Sequence, residues 1–310
     1  ANVARMLRES YFCDMIFITP PSLPLSREEP KIMYNPKYKL NNKILSNLTA
    51  IAEAKGIIDR AKILPQQELR LRRQAVIRMT HHSTEIEGNR LNLGQVEALY
   101  AKKKIDAPDR DIYEVKNYLN ALKYIEKIVA DKKPISEKVI LKIHKLVTNK
   151  TLAPQFSGHY RPGPIYVVRR QFGVPQETLY TGPEAKQVPK LMADFVAWLK
   201  NSEKKEINPV IAAGIAHLEI AAIHPFNDGN GRIGRVIMNW QLSRLGFPEV
   251  IIRDKEKQKY YQAFKDYRAD KKTKTMERII SLATMESLHK RLAYLKGQMI
   301  IPLVEYAKKI

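Results

Sequence analysis

The sequence predicts a mainly α-helical protein that carries a single β-hairpin. Apolar residues recur at helical spacing along most of the chain, and 44% of its 310 residues are hydrophobic. Two short β-prone runs flank a turn and provide the hairpin. A chain of this length can bury a sizeable core and is expected to form one or two domains.

The helices are placed by apolar periodicity together with capping and breaking residues. Before the hairpin they are predicted over 40–62, 66–87, 93–103, 108–131 and 136–149. After it they are predicted over 186–201, 208–223, 230–245, 254–269 and 273–296. From Ser281 onward the pattern is that of one long helix, with Pro302 as its end.

The hairpin is predicted directly after the segment Ser157 to Pro164. Its β-prone runs are Ile165 to Arg170 and Glu177 to Thr181, and the turn-prone segment between them contains Gly173 and Pro175.

We divide the chain into four regions. Residues 1–35 are predicted to form an irregular arm, because Pro20, Pro21 and Pro24 end a short apolar run. An N-terminal helical region covers 36–132, the core covers 133–270, and a C-terminal helical extension covers 271–310.

The formal net charge of +22 raises the question of nucleic-acid binding. The basic residues are spread over the predicted helices, however, and no RNA-binding or zinc motif concentrates them. A solvated basic surface that attracts ATP or an acidic target is therefore favoured, and nucleic acid is the less favoured partner. A homodimer stays open.

The single cysteine, Cys13, excludes a disulfide within the chain and suits a reducing compartment. The apolar run Tyr11 to Thr19 is too short to span a bilayer and is interrupted by Asp14. Without an evident signal peptide or membrane helix, we expect a cytoplasmic protein that does not bind membranes.

The most informative segment runs from His224 to Arg235, with the sequence HPFNDGNGRIGR. Gly229, Asn230 and Gly231 precede an apolar helical run, so they are expected at a helix N-terminus. Free N–H groups and the helix dipole favour an anion at that position. The glycines also let the backbone approach a phosphate closely.

The charged side chains of this segment suit the same ligand. Asp228 offers a hard oxygen to Mg²⁺ or Mn²⁺ bound with phosphates. Arg232 and Arg235 lie on one face of the predicted helix, where guanidinium groups match phosphate oxygens in pairs. His224 can accept a proton near neutral pH. The segment therefore predicts a nucleotide-handling active site, with Phe226 as a buried anchor.

These residues fill every position of the HxFx(D/E)GNGRxxR signature, and the chain resembles the Fic family from about Gln67 to Tyr267. The resemblance implies a Fic-fold helical bundle with a β-hairpin flap over the active site. It implies a protein adenylyltransferase that moves AMP from ATP to a hydroxyl of a target protein. The kinase-like Doc branch carries Lys where Gly231 stands, so Gly231 favours nucleotidyl transfer.

The same resemblance assigns roles to the motif residues. His224 would deprotonate the attacking hydroxyl, and Asp228 would hold the divalent metal on the ATP phosphates. Asn230, with Gly229 and Gly231, would bind the α-phosphate. Arg232 and Arg235 would hold the outer phosphates.

A second motif, Ser83-Thr84-Glu85-Ile86-Glu87-Gly88, is similar to the (S/T)xxxE(G/N) pattern of an inhibitory helix. In Fic proteins that carry this helix upstream of the core motif, its glutamate, here Glu87, pairs with the second arginine, here Arg235, and occupies the γ-phosphate site. The alternative is a helix capping box formed by Thr84 and Glu87. Gly88-Asn89 favours a helix end at this point, and with it the inhibitory function.

Two further assignments come from the resemblance. The flap residues Val167, Val168, Arg169 and Arg170 would cover the nucleotide and pair their strand edge with an extended segment of the target. Tyr261 would line the adenine side, although Arg268 stands where family members often carry Asn. In similar proteins a long C-terminal helix leads to a winged-helix domain.

Three functional hypotheses follow. The first is an auto-inhibited AMP transferase acting on Ser, Thr or Tyr. The second is removal of AMP from a modified target by a water molecule that Glu87 positions. The third is a nucleotide-binding or DNA-associated regulator with little transferase activity.

Overall fold

The computed structural model describes residues 36–61, 63–171, 174–202 and 206–307. These residues form ten α-helices and one two-stranded sheet, so the predicted mainly α class is confirmed. The helices before the sheet are α1 (Asn42–Ala61), α2 (Pro65–Glu85), α3 (Leu93–Tyr100), α4 (Asp109–Ala130) and α5 (Glu137–Val147). Those after it are α6 (Val188–Asn201), α7 (Pro209–Ile223), α8 (Asn230–Ser243), α9 (Lys257–Asp270) and α10 (Lys274–Ala307).

Most helix ends lie within a few residues of their predicted positions. Helix α3 ends earlier than predicted, at Tyr100, because Lys102 adopts a left-handed conformation with φ 59°. The Lys103 N–H then bonds to the Ala98 carbonyl at 2.9 Å. This is the cap that glycine usually forms, and a lysine in that position carries no sequence signal. Short 3-10 turns, Ala185–Gln187 and Asp254–Glu256, replace the predicted starts of α6 and α9.

Helix α10 corrects the prediction that Pro302 ends the last helix. It begins at Lys274 and continues through Pro302 to Ala307. A proline within a helix removes one backbone hydrogen bond and crowds the preceding turn. The helix nevertheless continues for five residues beyond Pro302.

The hairpin consists of β1 (Tyr166–Gln171) and β2 (Val174–Thr181), which pair antiparallel from Tyr166 opposite Thr181 to Gln171 opposite Val174. The predicted second run began at Glu177, which is too late. Pro175 lies inside β2, paired with Arg170. Each strand of a two-stranded sheet has an open edge, where a proline is tolerated.

Two predicted features lie outside the described residues. These are the irregular arm over 1–35 and the turn at Gly173.

Helix α7 forms the centre of the bundle. Every residue from Val210 to Ile223 is buried, including Gly214, His217 and Glu219. A helix that is apolar all round is stable only when other helices enclose it. Helices α6, α8, α9 and α10 pack around it. The loop His224–Gly229, which joins α7 to α8, therefore begins at the end of a fully buried helix.

The first and last helices also contact each other. The Asn47 side chain of α1 donates to the Ser281 hydroxyl of α10 at 3.0 Å. Arg291 of α10 forms ion pairs with Glu68 at 3.3 Å and with Glu249 at 3.2 Å. Among the described helices, none is long and apolar enough to cross a membrane.

Helix α2 ends at the second sequence motif. Gly88 has φ 97°, its N–H bonds to the Glu85 carbonyl at 2.9 Å, and the Asn89 N–H bonds to the Thr84 carbonyl at 3.1 Å. These bonds form a Schellman C-cap. The capping-box alternative is therefore wrong, because Thr84 lies in the last turn of α2 and its hydroxyl donates to the Thr80 carbonyl at 3.0 Å.

A glycine pair tests this helix end. Gly88→Ala should lower the free energy of unfolding by about 1–2 kcal/mol, because a side chain is strained in the left-handed region. Gly56 lies inside α1 with only the Arg60 side chain nearby, so Gly56→Ala should raise stability by about 0.5–1 kcal/mol. Urea denaturation measures both, and equal shifts in the same direction would contradict the cap.

Candidate active site

The core motif forms a tight loop between α7 and α8. His224 ends α7 in a left-handed conformation with φ 48°, and Gly229 precedes α8 with φ 82°. The Asn230 side chain accepts from the Phe226 N–H at 3.0 Å and donates to the Phe226 carbonyl at 2.8 Å. The Asn230 amide thus closes the loop, and its backbone N–H belongs to the first turn of α8, where donors have no acceptor within the helix.

Two buried residues that the sequence analysis missed hold this loop. Arg161 donates from Nε to the His224 carbonyl at 2.9 Å, and its N–H bonds to the Pro225 carbonyl at 2.9 Å. His144 lies 3.1 Å from the Asp228 carbonyl and its ring stacks on Phe226 at 3.9 Å. A polar residue within the apolar stripe of α5 was the available signal for His144.

His224 is buried, and neither of its ring nitrogens has a hydrogen-bond partner among the described residues. Burial, followed by the positive charge of Arg268, lowers the pKa of His224 to about 3. The ring is therefore neutral at physiological pH and can accept a proton.

Asp228 and Arg232 form a second charged unit. The Arg232 Nη2 contacts both Asp228 carboxylate oxygens, at 3.0 and 3.1 Å, and its Nη1 lies 3.8 Å from Glu114. Burial would raise the pKa of Asp228, but Arg232 and the Gly229 N–H outweigh it, so the pKa is lowered and the carboxylate is ionised.

Arg235 is buried and its guanidinium is held on three sides. Nε donates to the Ser83 hydroxyl at 2.8 Å, Nη2 to the Ser83 carbonyl at 2.8 Å, and Nη1 to the Tyr260 hydroxyl at 2.9 Å. Nη2 also pairs with Glu87 at 2.7 Å. The structure therefore joins both sequence motifs through Arg235, as the resemblance predicts.

Tyr260 is part of this anchor. The His217 Nε2 lies 2.6 Å from the Tyr260 hydroxyl, and burial raises the pKa of Tyr260 to about 12. A methyl group on Gly234 would lie 2.1 Å from the His217 ring, so only glycine fits there. His217, Tyr260 and Arg235 form a hydrogen-bonded chain that periodicity alone did not reveal.

Gly231 is in a comparable position. A Cβ at Gly231 would lie 2.3 Å from Glu87 Oε1, so any larger residue would displace the carboxylate. The Glu87–Arg235 pair thus requires a residue without a side chain at position 231.

A cavity of about 810 Å³ opens beside these residues, a size typical of small-ligand sites. Of the sequence-predicted residues, its lining contains Glu87, Val167, Val168, His224, Asn230, Gly231, Arg235 and Tyr261. Asp228, Gly229 and Arg232 are not part of that lining.

The flap and α9 form the opposite wall of this cavity. Tyr261 lies there half-buried, and the Arg268 guanidinium stacks on the Tyr180 ring at 3.9 Å. Arg268 also donates to the Ala221 carbonyl at 3.0 Å. The Arg169 and Arg170 side chains lie outside the described part of the chain, although their backbones pair within the hairpin.

Known proteins share the sequence and the fold of this chain. The model of the Fic/DOC family matches residues 134–242. A crystal structure of a Fic family protein from Desulfovibrio desulfuricans G20 is 30% identical and superimposes with a TM-score of 0.71 over 84% of this chain and 77% of that one. The chain belongs to the Fic family. Fic-1 from C. elegans is 25% identical, with a TM-score of 0.69 over 82% of this chain and 74% of that chain.

Curated relatives carry the name protein adenylyltransferase Fic. Those of Drosophila yakuba and Drosophila melanogaster are each 33% identical over 220 residues, which is 70% of this chain. This Fic chain spans 40% of the length of those relatives.

After burial, the positive charge of Arg268 is the main cause of the low pKa of His224. Arg268→Gln should raise the pKa of His224 above about 3, because it removes the largest charge that opposes ring protonation. The unfolded pKa is about 6.5, so the parent loses stability as the pH falls from about 6.5 toward about 3, and the variant should lose less. NMR titration of the His224 ring measures the shift.

Lys265→Gln is the matched control, since Lys265 lines the same cavity. An equal shift in both variants, or none in Arg268→Gln, would contradict the assigned cause.

Proposed function

We propose that this Fic protein transfers AMP from ATP to a hydroxyl side chain of a target protein. The observation that carries the proposal is one cavity that joins His224, the N-terminus of α8 and Arg235. A proton acceptor, an anion-binding helix end and a guanidinium are the groups that attack on a phosphoryl centre requires. The name shared by the curated relatives supports the same activity.

In the proposed reaction, the target hydroxyl oxygen attacks the α-phosphorus of ATP. His224 takes the hydroxyl proton, the bond between the α-phosphorus and the bridging oxygen breaks, and pyrophosphate leaves. The N–H groups of Asn230 and Gly231 would bind the α-phosphate, and Arg235 the outer phosphates. Phosphate charge beside His224 would raise its pKa and strengthen it as a base.

The residues fit the divalent metal that the family implies. Mg²⁺ is held in proteins by one or two carboxylates together with substrate phosphates and water. Asp228 offers one ionised carboxylate that is about a quarter exposed, so an oxygen remains accessible while Arg232 orients the group. Asp228 would hold Mg²⁺ or Mn²⁺, which neutralises phosphate charge when bound.

The target would dock on the flap. Both hairpin strands have an open edge in the described structure, and Val167 and Val168 lie where β1 borders the cavity. An extended segment that pairs with such an edge gains main-chain hydrogen bonds with little demand on its sequence. A hydroxyl residue in that segment would be carried toward His224.

We also infer that the resting protein is auto-inhibited. Glu87 and Ser83 together occupy two edges of the Arg235 guanidinium. A γ-phosphate needs the same donors, and it cannot approach a carboxylate that carries the same charge. ATP would then bind without its outer phosphates in place, so its α-phosphorus would be misaligned for attack.

Label transfer from α-labelled ATP tests the activity. The Glu87→Gly protein should label itself or a lysate protein covalently, and adding His224→Ala should abolish labelling while ATP binding persists, because a base contributes little to ground-state affinity. Equal labelling by both proteins would contradict the base assignment. ATP binding with no labelling under any condition would favour the regulator hypothesis.

Metal removal tests the Asp228 assignment. Excess chelator should stop transfer, Mg²⁺ or Mn²⁺ should restore it, and Asp228→Ala should lose both turnover and metal dependence. Asp111 lies near Arg90, away from the cavity lining, so Asp111→Ala is a suitable control for loss of a buried carboxylate. Full activity of Asp228→Ala in chelator would contradict the role.

Release of Arg235 should activate the enzyme. Glu87→Gly should raise transfer by an order of magnitude or more, since each ~1.4 kcal/mol of relieved obstruction is worth tenfold. Glu126→Gly, near the C-terminal end of α4 with a side chain 71% exposed, is the matched control and should leave transfer unchanged. Arg235→Ala should not activate, because the nucleotide needs that arginine. No gain in Glu87→Gly at saturating ATP and Mg²⁺ would refute auto-inhibition.

A further inference from the structure

We propose that His81, His82 and Glu85 bind a divalent transition-metal ion of the Zn²⁺ class on the last turns of α2. The three residues follow one another at i, i+1 and i+4, so Glu85 lies on the helix face between the two imidazoles. None of them lines the nucleotide cavity, and the proposed Mg²⁺ ligand Asp228 is not among them. The site is therefore distinct from the one that serves ATP.

The distances suit coordination. The three ligand atoms all lie within 4.8 Å of one another. The His82 Nδ1 is 3.0 Å from Glu85 Oε2, and the His81 Nδ1 is 3.6 Å from the same oxygen. Ligand atoms around tetrahedral Zn²⁺, with bonds of ~2.0–2.1 Å, stand about 3.3 Å apart. Small side-chain rotations would bring all three to that spacing.

A buried ring nitrogen of His81 is a second, independent indication that a metal ion binds here. Its Nδ1 is buried and has no hydrogen-bond partner among the described residues, although a buried polar atom without a partner costs free energy. The ring nitrogen lies 3.6 Å from the Glu85 carboxylate, and an ion bound between them would satisfy both groups.

The surroundings favour a cation at this point of a basic chain. Two acidic side chains lie near the His81 ring: Glu85 on the same helix, and Asp254 on the 3-10 turn that packs against α2. The neighbouring Lys257 forms an ion pair with Asp254, with its Nζ 3.7 Å from the Asp254 Oδ1. Two imidazoles and one carboxylate select Zn²⁺, Co²⁺ or Ni²⁺ over Mg²⁺ and Ca²⁺, and leave a fourth position for water.

Metal binding would act on the inhibitory segment. The ligands enclose Ser83 in sequence and end two residues before Glu87, so an ion that ties them together fixes the last turn of α2. This consequence rests on the proposed function, whereas the site itself does not. Bound Zn²⁺ should slow amide hydrogen exchange across residues 81–89, whether or not the protein transfers AMP.

Cobalt titration of the tag-free, nucleotide-free full chain tests the site. Co²⁺ should produce a visible absorption that saturates at one equivalent and that added Zn²⁺ abolishes. His81→Ala, His82→Ala and Glu85→Gln should each weaken binding by at least about tenfold, since even loss of an outer-shell contact costs that much. Their thermal unfolding is recorded alongside, and the half-exposed His82 and Glu85 can be replaced without loss of core packing.

Two controls separate this proposal from the others. Asp228→Ala should bind Co²⁺ like the parent, because the ATP-linked metal uses a different ligand. His289→Ala removes an exposed histidine and should also bind normally. No saturable Co²⁺ signal, or a signal unchanged in folded His82→Ala and Glu85→Gln, would overturn the proposal and would leave the transferase proposal standing.

Discussion

The buried Arg235 guanidinium is the constraint on which the rest of the site depends. A charge removed from water is stable only with close partners. Arg235 has them at Ser83 of α2, at Glu87 in the turn after α2, and at Tyr260 of α9. These contacts hold three helices together around the cavity. Under the proposed function, the outer phosphates of ATP require the same Arg235 donors that stabilise the resting fold, so inhibition would be coupled to folding.

The loop that presents His224 is held independently of that ion pair. Asn230, Arg161 and His144 bond to its backbone, and Phe226 lies buried beneath it. Release of Glu87 would therefore free Arg235 and leave the base and the helix N-terminus in place. If Glu87 is inhibitory as proposed, exchanging the partner of Arg235 would switch the site without a change in the helical core.

Sequence reasoning recovered the elements whose signals are local. Apolar periodicity located the helices, Gly88 marked the end of α2, and the core motif located the loop. The early end of α3 was missed because Lys102, rather than a glycine, adopts the left-handed conformation there. The path of α10 was missed because the helix continues through Pro302, which locally favours a helix end. The braces His144, Arg161 and His217 were missed because each acts through a contact distant in sequence.

We propose that Arg235 changes partner from Glu87 to the outer phosphates of ATP. Crystal structures of the parent and of Glu87→Gly, each with Mg²⁺ and a non-hydrolysable ATP analogue, test it directly. In the variant, we expect the Arg235 guanidinium to contact the γ-phosphate and the α-phosphate to bind at the N-terminus of α8. In the parent, we expect the Glu87–Arg235 pair to persist and the contact between Arg235 and the γ-phosphate to be absent. An identical phosphate position in both proteins, with Arg235 bonded to Glu87 in the parent, would contradict it.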